Sequence, residues 1–99
     1  MAKDPAFLFY YQDFLVGTDY FTNEEIGAYI KCLCHQAHKG HISSNHMLKI
    51  CQRQKVHSVV KEKFVPDGNG GFFNQRMKEE TEKRRKYSES RRKNREGIK

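Results

Sequence analysis

The stretch from Thr22 to Gly40 carries both a start and a stop signal for a helix, and it constrains the fold more than any other part of the chain. Thr22 and Glu25 have the spacing of a capping box, in which each side chain accepts a hydrogen bond from the other residue's backbone amide. Lys39 and Gly40 supply the cation and the left-handed residue that typically end a helix. Between them, apolar residues recur at intervals of three, four and seven, which predicts one buried face. These residues are Ile26, Tyr29, Ile30, Leu33, Cys34 and Ala37.

Shorter elements are predicted around this helix. Residues 6–16 suit an extended segment followed by a turn or two of helix from Gln12 to Val16, and residues 41–43 suit a strand of one or two residues. Ser43 or Ser44 caps a second helix, and a third helix begins near Arg53 or Gln54. The second helix carries Met47, Leu48, Ile50 and Cys51, and the third places Val56, Val59 and Val60 inward.

A hairpin and a charged helix complete the chain. Asp67-Gly68 and Asn69-Gly70 mark a tight turn between Phe64-Val65-Pro66 and Gly71-Phe72-Phe73. Because Pro66 has no amide hydrogen, its strand should lie at a sheet edge or end early. From Asn74 onward the residues favour helix, yet only Met77 and Tyr87 resemble core residues.

The order of these elements predicts a mainly α fold with a small β hairpin, namely a winged helix with a charged C-terminal helix. We expect a winged-helix domain over residues 1–77 and a basic, mostly helical or frayed extension over residues 78–99. One contiguous core should contain nine apolar residues. They are Ile26, Ile30, Leu33, Leu48, Val56, Val59, Val60, Phe64 and Phe72.

The chain has a net charge of +7, and its excess of basic residues lies in two segments. Residues 46–63 contain five Lys or Arg and one Glu, giving +4, and residues 83–99 contain nine Lys or Arg and two Glu, giving +7. Clusters of this kind attract polyanions, of which nucleic acid is the first candidate and acidic lipid the second. No apolar run approaches the ~20 residues that span a bilayer, and three cysteines do not form a closed disulfide framework. We therefore expect a cytoplasmic protein.

The third helix is the predicted nucleic-acid reader. With its valines inward, an amide, an imidazole, a hydroxyl and an ammonium project from its outer face, and such groups contact base edges and phosphates in a major groove. Neighbouring cations would hold phosphates, and the hairpin tip could reach a minor groove or the backbone. The predicted DNA-binding residues are Lys49, Arg53, Gln54, Lys55, His57, Ser58, Lys61, Lys63 and Asn69. An ordinary solvated helix face is the alternative interpretation.

The C-terminal extension is predicted to bind nucleic acid without sequence preference, through charge alone. It could equally serve only to keep the protein soluble. Its cations form two clusters separated by Tyr87-Ser88-Glu89-Ser90. They include Lys83, Arg84, Arg85, Lys86, Arg91, Arg92, Lys93 and Arg95.

Metal binding and catalysis are weaker interpretations. Cysteines and histidines between Cys32 and Cys51 invite a metal hypothesis, but no C-x-x-C or H-x-x-x-H pair occurs, so we predict no metal and no cofactor. There is no G-x-S-x-G, P-loop or H-E-x-x-H motif, and the glycines from Gly68 to Gly71 fit a hairpin better than a phosphate cradle. We therefore predict that the chain is not an enzyme.

Three passages resemble the N-terminal domain of phage and prophage replication proteins: FYYQDFLVGT, FTNEEIGAYIKCLCHQ and DGNGGFFNQRMKEE. The resemblance covers about Lys3 to Asn94. The matching positions are Asp13, Phe14, Leu15, Thr22 to Glu25, Gly27, Ala28, Tyr29, Asn74 and Arg76. The resemblance implies a winged helix in a replisome-organiser protein, similar to DnaD-like primosomal proteins. It also implies that such a protein marks or opens a replication origin and helps recruit a replicative helicase or its loader. It implies no catalytic residue, and because such proteins usually continue beyond this domain, we expect a fragment or a short member.

Three functions follow from these expectations. The first is a DNA-binding module for replication initiation, as a monomer or a homo-oligomer. The second is an interaction module of the same fold that docks a helicase or another replication subunit. The third is a transcriptional repressor, which shares the DNA chemistry and differs in its target site. The charge of +4 over residues 46–63 favours DNA, because a protein-docking surface would more often present apolar anchors there.

Overall fold

A computed structural model describes residues 6–7 and 9–96, with the side chains of residues 88 and 90–96 left out of the description. Five helices and three short strands follow one another along these residues. They are α1 (Tyr11–Gly17), α2 (Asn23–Lys39), β1 (Ile42–Ser43), α3 (Ser44–Cys51), α4 (Gln54–Lys61), β2 (Val65–Pro66), β3 (Gly71–Phe73) and α5 (Gln75–Glu96). The mainly helical class with a small hairpin is thereby confirmed.

The ends of α2 are formed as predicted. The Thr22 hydroxyl accepts a hydrogen bond from the Glu25 amide at 3.1 Å, and the Glu25 carboxylate accepts one from the Thr22 amide at 2.8 Å. Gly40 ends the helix with a φ of 92°, a conformation that is strained for any residue with a Cβ. The predicted capping box and left-handed C-cap are both confirmed.

The three strands form one antiparallel sheet in the order β1-β3-β2. Ile42 of β1 pairs with Phe72, and Pro66 of β2 pairs with Phe72 from the other side. Pro66 therefore lies in an edge strand, where its missing donor costs no ladder bond. The Asp67 carboxylate closes the turn by accepting hydrogen bonds from the amides of Asn69 (2.7 Å) and Gly71 (3.0 Å).

The core lies where α2, α3 and α4 meet the sheet and the first turns of α5. Its buried members come from α2, β1, α3, α4 and α5, and one, Phe64, lies in the segment between α4 and β2. They are Ala28, Cys32, Leu33, Ile42, Met47, Cys51, Val56, Val60, Phe64 and Met77. Partly buried Ile30 and Phe72 pack against them, so six of the nine predicted core residues belong to or touch this cluster.

Three predictions about buried residues are wrong. Leu48 is 45% exposed, because Met47 and Cys51, four residues apart, occupy the inner side of α3. Cys34 is exposed and Cys32 fully buried, because the buried arc of α2 is centred closer to Ala28, Cys32 and Gln36. Tyr87 is 64% exposed. Ile26 and Val59 are only half-buried.

A side chain in α2 fixes the start of α5. The buried Gln36 amide donates to the Asn74 carbonyl at 3.0 Å, and its oxygen accepts from the Asn74 amide at 2.6 Å. The Asn74 side chain in turn caps α5 by accepting from the Met77 amide at 2.9 Å, and it donates to the Lys63 carbonyl at 2.7 Å. These bonds satisfy every polar group that the junction buries and hold α5 against α2.

The turn between α3 and α4 is unusually tight. Gln52 adopts φ 68° and ψ −41°, and the Arg53 amide donates to the Cys51 carbonyl at 2.7 Å across it. This is the geometry of a γ-turn with positive φ, which is strained for residues other than glycine. The turn sets α4 at an angle to α3 within two residues.

Candidate nucleic-acid interface

Helix α4 presents a polar face to solvent because two of its three valines are buried in the core on the opposite side. Val56 and Val60 are 1% and 0% exposed. Gln54, Ser58 and Lys61, at spacings of four and three residues, are all exposed and therefore lie along the opposite side. The structure brings these three predicted residues together on one face.

Ser58 and His57 are the two residues of this face with a polar group that is already hydrogen-bonded or buried. The Ser58 hydroxyl donates to the Gln54 carbonyl at 3.0 Å, so its oxygen remains available as an acceptor. His57 is half-buried, and its Nε2 is buried without a hydrogen-bond partner among the described residues. Burial, aided by the Lys61 charge, lowers the pKa of His57. A neutral, half-buried imidazole at the edge of the face is a poorer base reader than Gln54 or Lys61.

Arg53 is held by the carboxylate of Glu24, which lies 29 residues earlier in the sequence. Its Nη2 and Nε donate to the two Glu24 carboxylate oxygens at 2.6 Å and 3.0 Å, a bidentate pair that links the N-termini of α2 and α4. Both side chains remain about half exposed. Arg53 therefore orients α4, and its charge is largely neutralised before any phosphate arrives.

The remaining predicted cations of the body separate into two groups. Lys49, Lys55 and Lys61 are exposed, and within the described part of the chain none of them forms an ion pair. Lys63 follows α4, and its ammonium lies over the rings of Phe21 and Tyr20 instead, 5.6 Å and 5.9 Å from their centroids. The structure thus places Lys63 apart from the α4 face.

The hairpin tip places Asn69 between Gly68 and Gly70, which have φ values of 82° and 83°. The Asn69 side chain is exposed, and its backbone amide donates a hydrogen bond to the Asp67 carboxylate. Asp67 also contacts His41 Nδ1 at 2.7 Å, so the tip is tied to the start of β1. These contacts of Asp67 stabilise the turn, and the Asn69 side chain points to solvent from it.

The charged helix α5 leaves the body after Thr81. Lys83, Arg84, Arg85 and Lys86 are exposed; Lys83 approaches Glu80 at 3.7 Å, and Arg85 pairs with Glu89 at 2.9 Å. The side chains of Arg91, Arg92, Lys93 and Arg95 lie outside the described set. The four described cations form a solvated basic segment.

The cysteines and histidines considered for metal binding are dispersed. Cys32 and Cys51 face each other in the core, where burial raises the pKa of Cys32 to about 12, and His41 is engaged by Asp67. His35 and His46 form a ring pair with centroids 4.2 Å apart. Among the described residues, no three His, Cys, Asp or Glu side chains are grouped so as to hold a metal ion. Over the same residues, no helix has both the length and the apolar character needed to cross a membrane.

Comparison with protein families, with curated proteins and with solved structures finds no match to this chain.

Proposed function

We propose that the chain is a winged-helix module that binds duplex DNA. In this proposal α3 and α4 form the helix-turn-helix, α4 enters the major groove, and the β2–β3 hairpin is the wing. The strand order β1-β3-β2 and the sequence of elements support this assignment. A place in phage or prophage replication initiation rests on the resemblance of the three passages described above.

The observation that carries the proposal is the chemistry of the α4 face. Gln54, Ser58 and Lys61 offer an amide, a hydroxyl and an ammonium along two turns of one helix side. Lys49 and Lys55 flank them as cations without ion-pair partners among the described residues. Base edges in the major groove present matching donors and acceptors, and phosphates flank them.

Distinct roles follow for these groups. Gln54 and Lys61 are the proposed base readers, because an amide can pair with adenine and an ammonium with guanine. Lys49 and Lys55 are proposed to hold phosphates, Asn69 to approach the backbone or minor groove, and the basic part of α5 to add affinity without sequence preference. Arg53, held by Glu24, is assigned to orienting α4.

The test begins with selection of a preferred sequence from random duplexes. Gln54→Ala or Lys61→Ala should then weaken binding to that site by roughly 1–3 kcal/mol and relax sequence choice. Lys49→Ala or Lys55→Ala should weaken all duplexes alike and reduce the salt slope by about one unit. Lys31→Ala, an exposed lysine of α2, is the matched control and should change little. If Gln54→Ala and Lys61→Ala bind every duplex as the parent does, α4 is not the reader.

A protein-docking module is the second candidate, and α1 favours it. Tyr11, Leu15 and Val16 are 67%, 65% and 77% exposed, which is unusual for three large apolar side chains on one short helix. A helicase, a helicase loader or a second copy of the chain would bury them. Changing all three to Ser should abolish such an association and leave duplex binding intact.

A further inference from the structure

A cavity of about 240 Å³ opens between α1, α2 and the start of α5, away from the α4 face. Leu33 and Met77, 5% and 6% exposed, form its apolar floor. Aromatic rings surround it, and two of them, Phe14 and Tyr29, stack on one another with centroids 5.7 Å apart. The aromatic lining residues are Phe7, Phe9, Tyr10, Phe14 and Tyr29.

Most charged groups at this cavity already neutralise one another. Arg76 pairs with Asp13 at 2.8 Å and stacks on the Tyr10 ring at 4.7 Å. Glu80 accepts from the Tyr10 hydroxyl at 3.5 Å and approaches Lys83 at 3.7 Å. These contacts join α1 to α5 and leave no net charge on the four charged residues involved.

Lys63 is the exception among the described lining residues. Its ammonium forms no ion pair with any described carboxylate, and it lies over the rings of Phe21 and Tyr20. It stands beside Gly17, which also lines the cavity; a Cβ at that glycine would lie 3.7 Å from Nζ. The ammonium of this half-buried lysine, next to an aromatic cavity, provides a site for one negative charge.

We propose that this cavity binds an aromatic monocarboxylate, with the ring among the lining aromatic residues and the carboxylate on Lys63. The size supports one ring: a dry cavity of ~150 Å³ accepts benzene, whereas drug-sized ligands occupy roughly 300–1,000 Å³. The charge supports one anion, since Lys63 is the one charged residue of the described cavity lining without an ion-pair partner among the described residues. This site is independent of the proposed DNA face.

The carboxylate could belong to a small aromatic acid or to the C-terminal aromatic residue of a peptide, and both present the same chemistry. Calorimetric titration with 3-phenylpropionate tests the site, and 3-phenylpropanamide tests the need for charge. We expect the acid to bind at least about tenfold more tightly than the amide, the effect of one charge-assisted contact. Equal binding of the two, or binding of neither, would overturn the proposal.

Variants locate the site. Lys63→Met keeps the apolar stem and should weaken binding of the acid about tenfold or more, whereas Lys63→Arg should retain it. Lys31→Met removes the same charge from an exposed position on α2, away from the residues that line the cavity, and should leave binding of the acid unchanged. Gly17→Leu should fill the cavity and prevent binding without lowering the melting temperature, because Gly17 is helical with no positive φ. An equal loss in Lys31→Met and Lys63→Met would overturn the assignment to Lys63.

A pentapeptide ending in phenylalanine with a free carboxylate distinguishes the two sources. Tighter binding of the peptide than of 3-phenylpropionate, lost on amidation of its C-terminus, would assign the site to a partner chain. Equal or weaker binding would assign it to a small acid.

Discussion

The two halves of α5 are one continuous helix, yet they are stabilised by different interactions. The first turns are fixed by tertiary contacts: Met77 is 6% exposed, the Asn74 side chain caps the helix, and Arg76 pairs with Asp13 of α1. Beyond Thr81, each side chain described from Glu82 to Tyr87 is exposed, as is Glu89. The distal half therefore depends on propensity and pairs such as Arg85–Glu89, which contribute only tenths of a kcal/mol each.

Folding stability and net charge therefore come from separate parts of the molecule. Residues 1–82 contain ten basic and ten acidic side chains, whereas residues 83–99 contain nine and two. The body has the core that determines the free energy of unfolding. The distal helix has most of the net charge that determines attraction to polyanions. The proposed boundary after residue 77 cuts through this helix, and a division after Glu82 separates the two roles better.

The largest expected effect on the body is that of Leu33→Ala. Leu33 is 5% exposed in the core, so its truncation should lower the free energy of unfolding by roughly 2–5 kcal/mol through lost transfer energy and a cavity. Leu48→Ala removes the same atoms from a side chain that is 45% exposed and should cost less than about 1 kcal/mol. Urea unfolding followed by circular dichroism measures both. Equal losses would mean that the register of α2 or α3 differs from the one described.

The hairpin should give a smaller and pH-dependent effect. Hydrogen bonds from the Asn69 amide first, and then the His41 side chain, lower the pKa of Asp67 from its usual 3.8. A carboxyl whose pKa is lowered by folding contributes stability above its unfolded pKa, and this is lost as the pH falls through the lowered folded value. Asp67→Asn should therefore be less stable than the parent at pH 7, and the difference should shrink as the pH falls below 3.8 through the lowered folded pKa. A difference that persists at low pH would show that the charge is not the cause.

The turn between α3 and α4 should give a gain. Gln52 is strained at φ 68°, and glycine relieves that strain while losing more chain entropy, so Gln52→Gly should stabilise the body by about 1 kcal/mol. Gln52→Ala keeps a Cβ in the same conformation and should change little. Thermal melts of the two variants decide between them, and a destabilised Gln52→Gly would contradict the γ-turn.

Local signals in the sequence predicted those elements whose causes lie within a few residues. Thr22 with Glu25, Gly40, and the Asp67-Gly68 turn each carry their own hydrogen bonds, and each element forms as expected. The core was predicted less well in α3, where Leu48 was expected to be buried and Met47 is buried instead. The rotation of a two-turn helix about its axis decides which of two neighbouring apolar residues faces the core.

Long-range polar partners were not predictable from spacing. Gln36 with Asn74 and Arg53 with Glu24 are separated by 38 and 29 residues, and no local pattern joins them. The cavity was not predicted either, because residues far apart in the sequence line it. Asp13, Phe14, Tyr29, Asn74 and Arg76, which the resemblance had singled out separately, all lie around it. The face of α4 was predicted because it depends only on helical periodicity and the inward valines.

Removal of residues 83–99 should have the smallest effect on stability and the clearest effect on charge. The cut leaves Met77, the Asn74 cap and the Tyr10–Glu80 contact in place, so the melting temperature of the body should stay nearly unchanged. It removes nine cations and two acids, and if most of these cations meet phosphates, the slope of log affinity against log salt should fall by several units. A full-length variant with Lys83, Arg84, Arg85 and Lys86 changed to Gln is the control for helix length, and it should lose part of the same slope. If the truncated body unfolds, the distal half of α5 packs after all, for example against a second copy, and the separation of stability from charge would not hold.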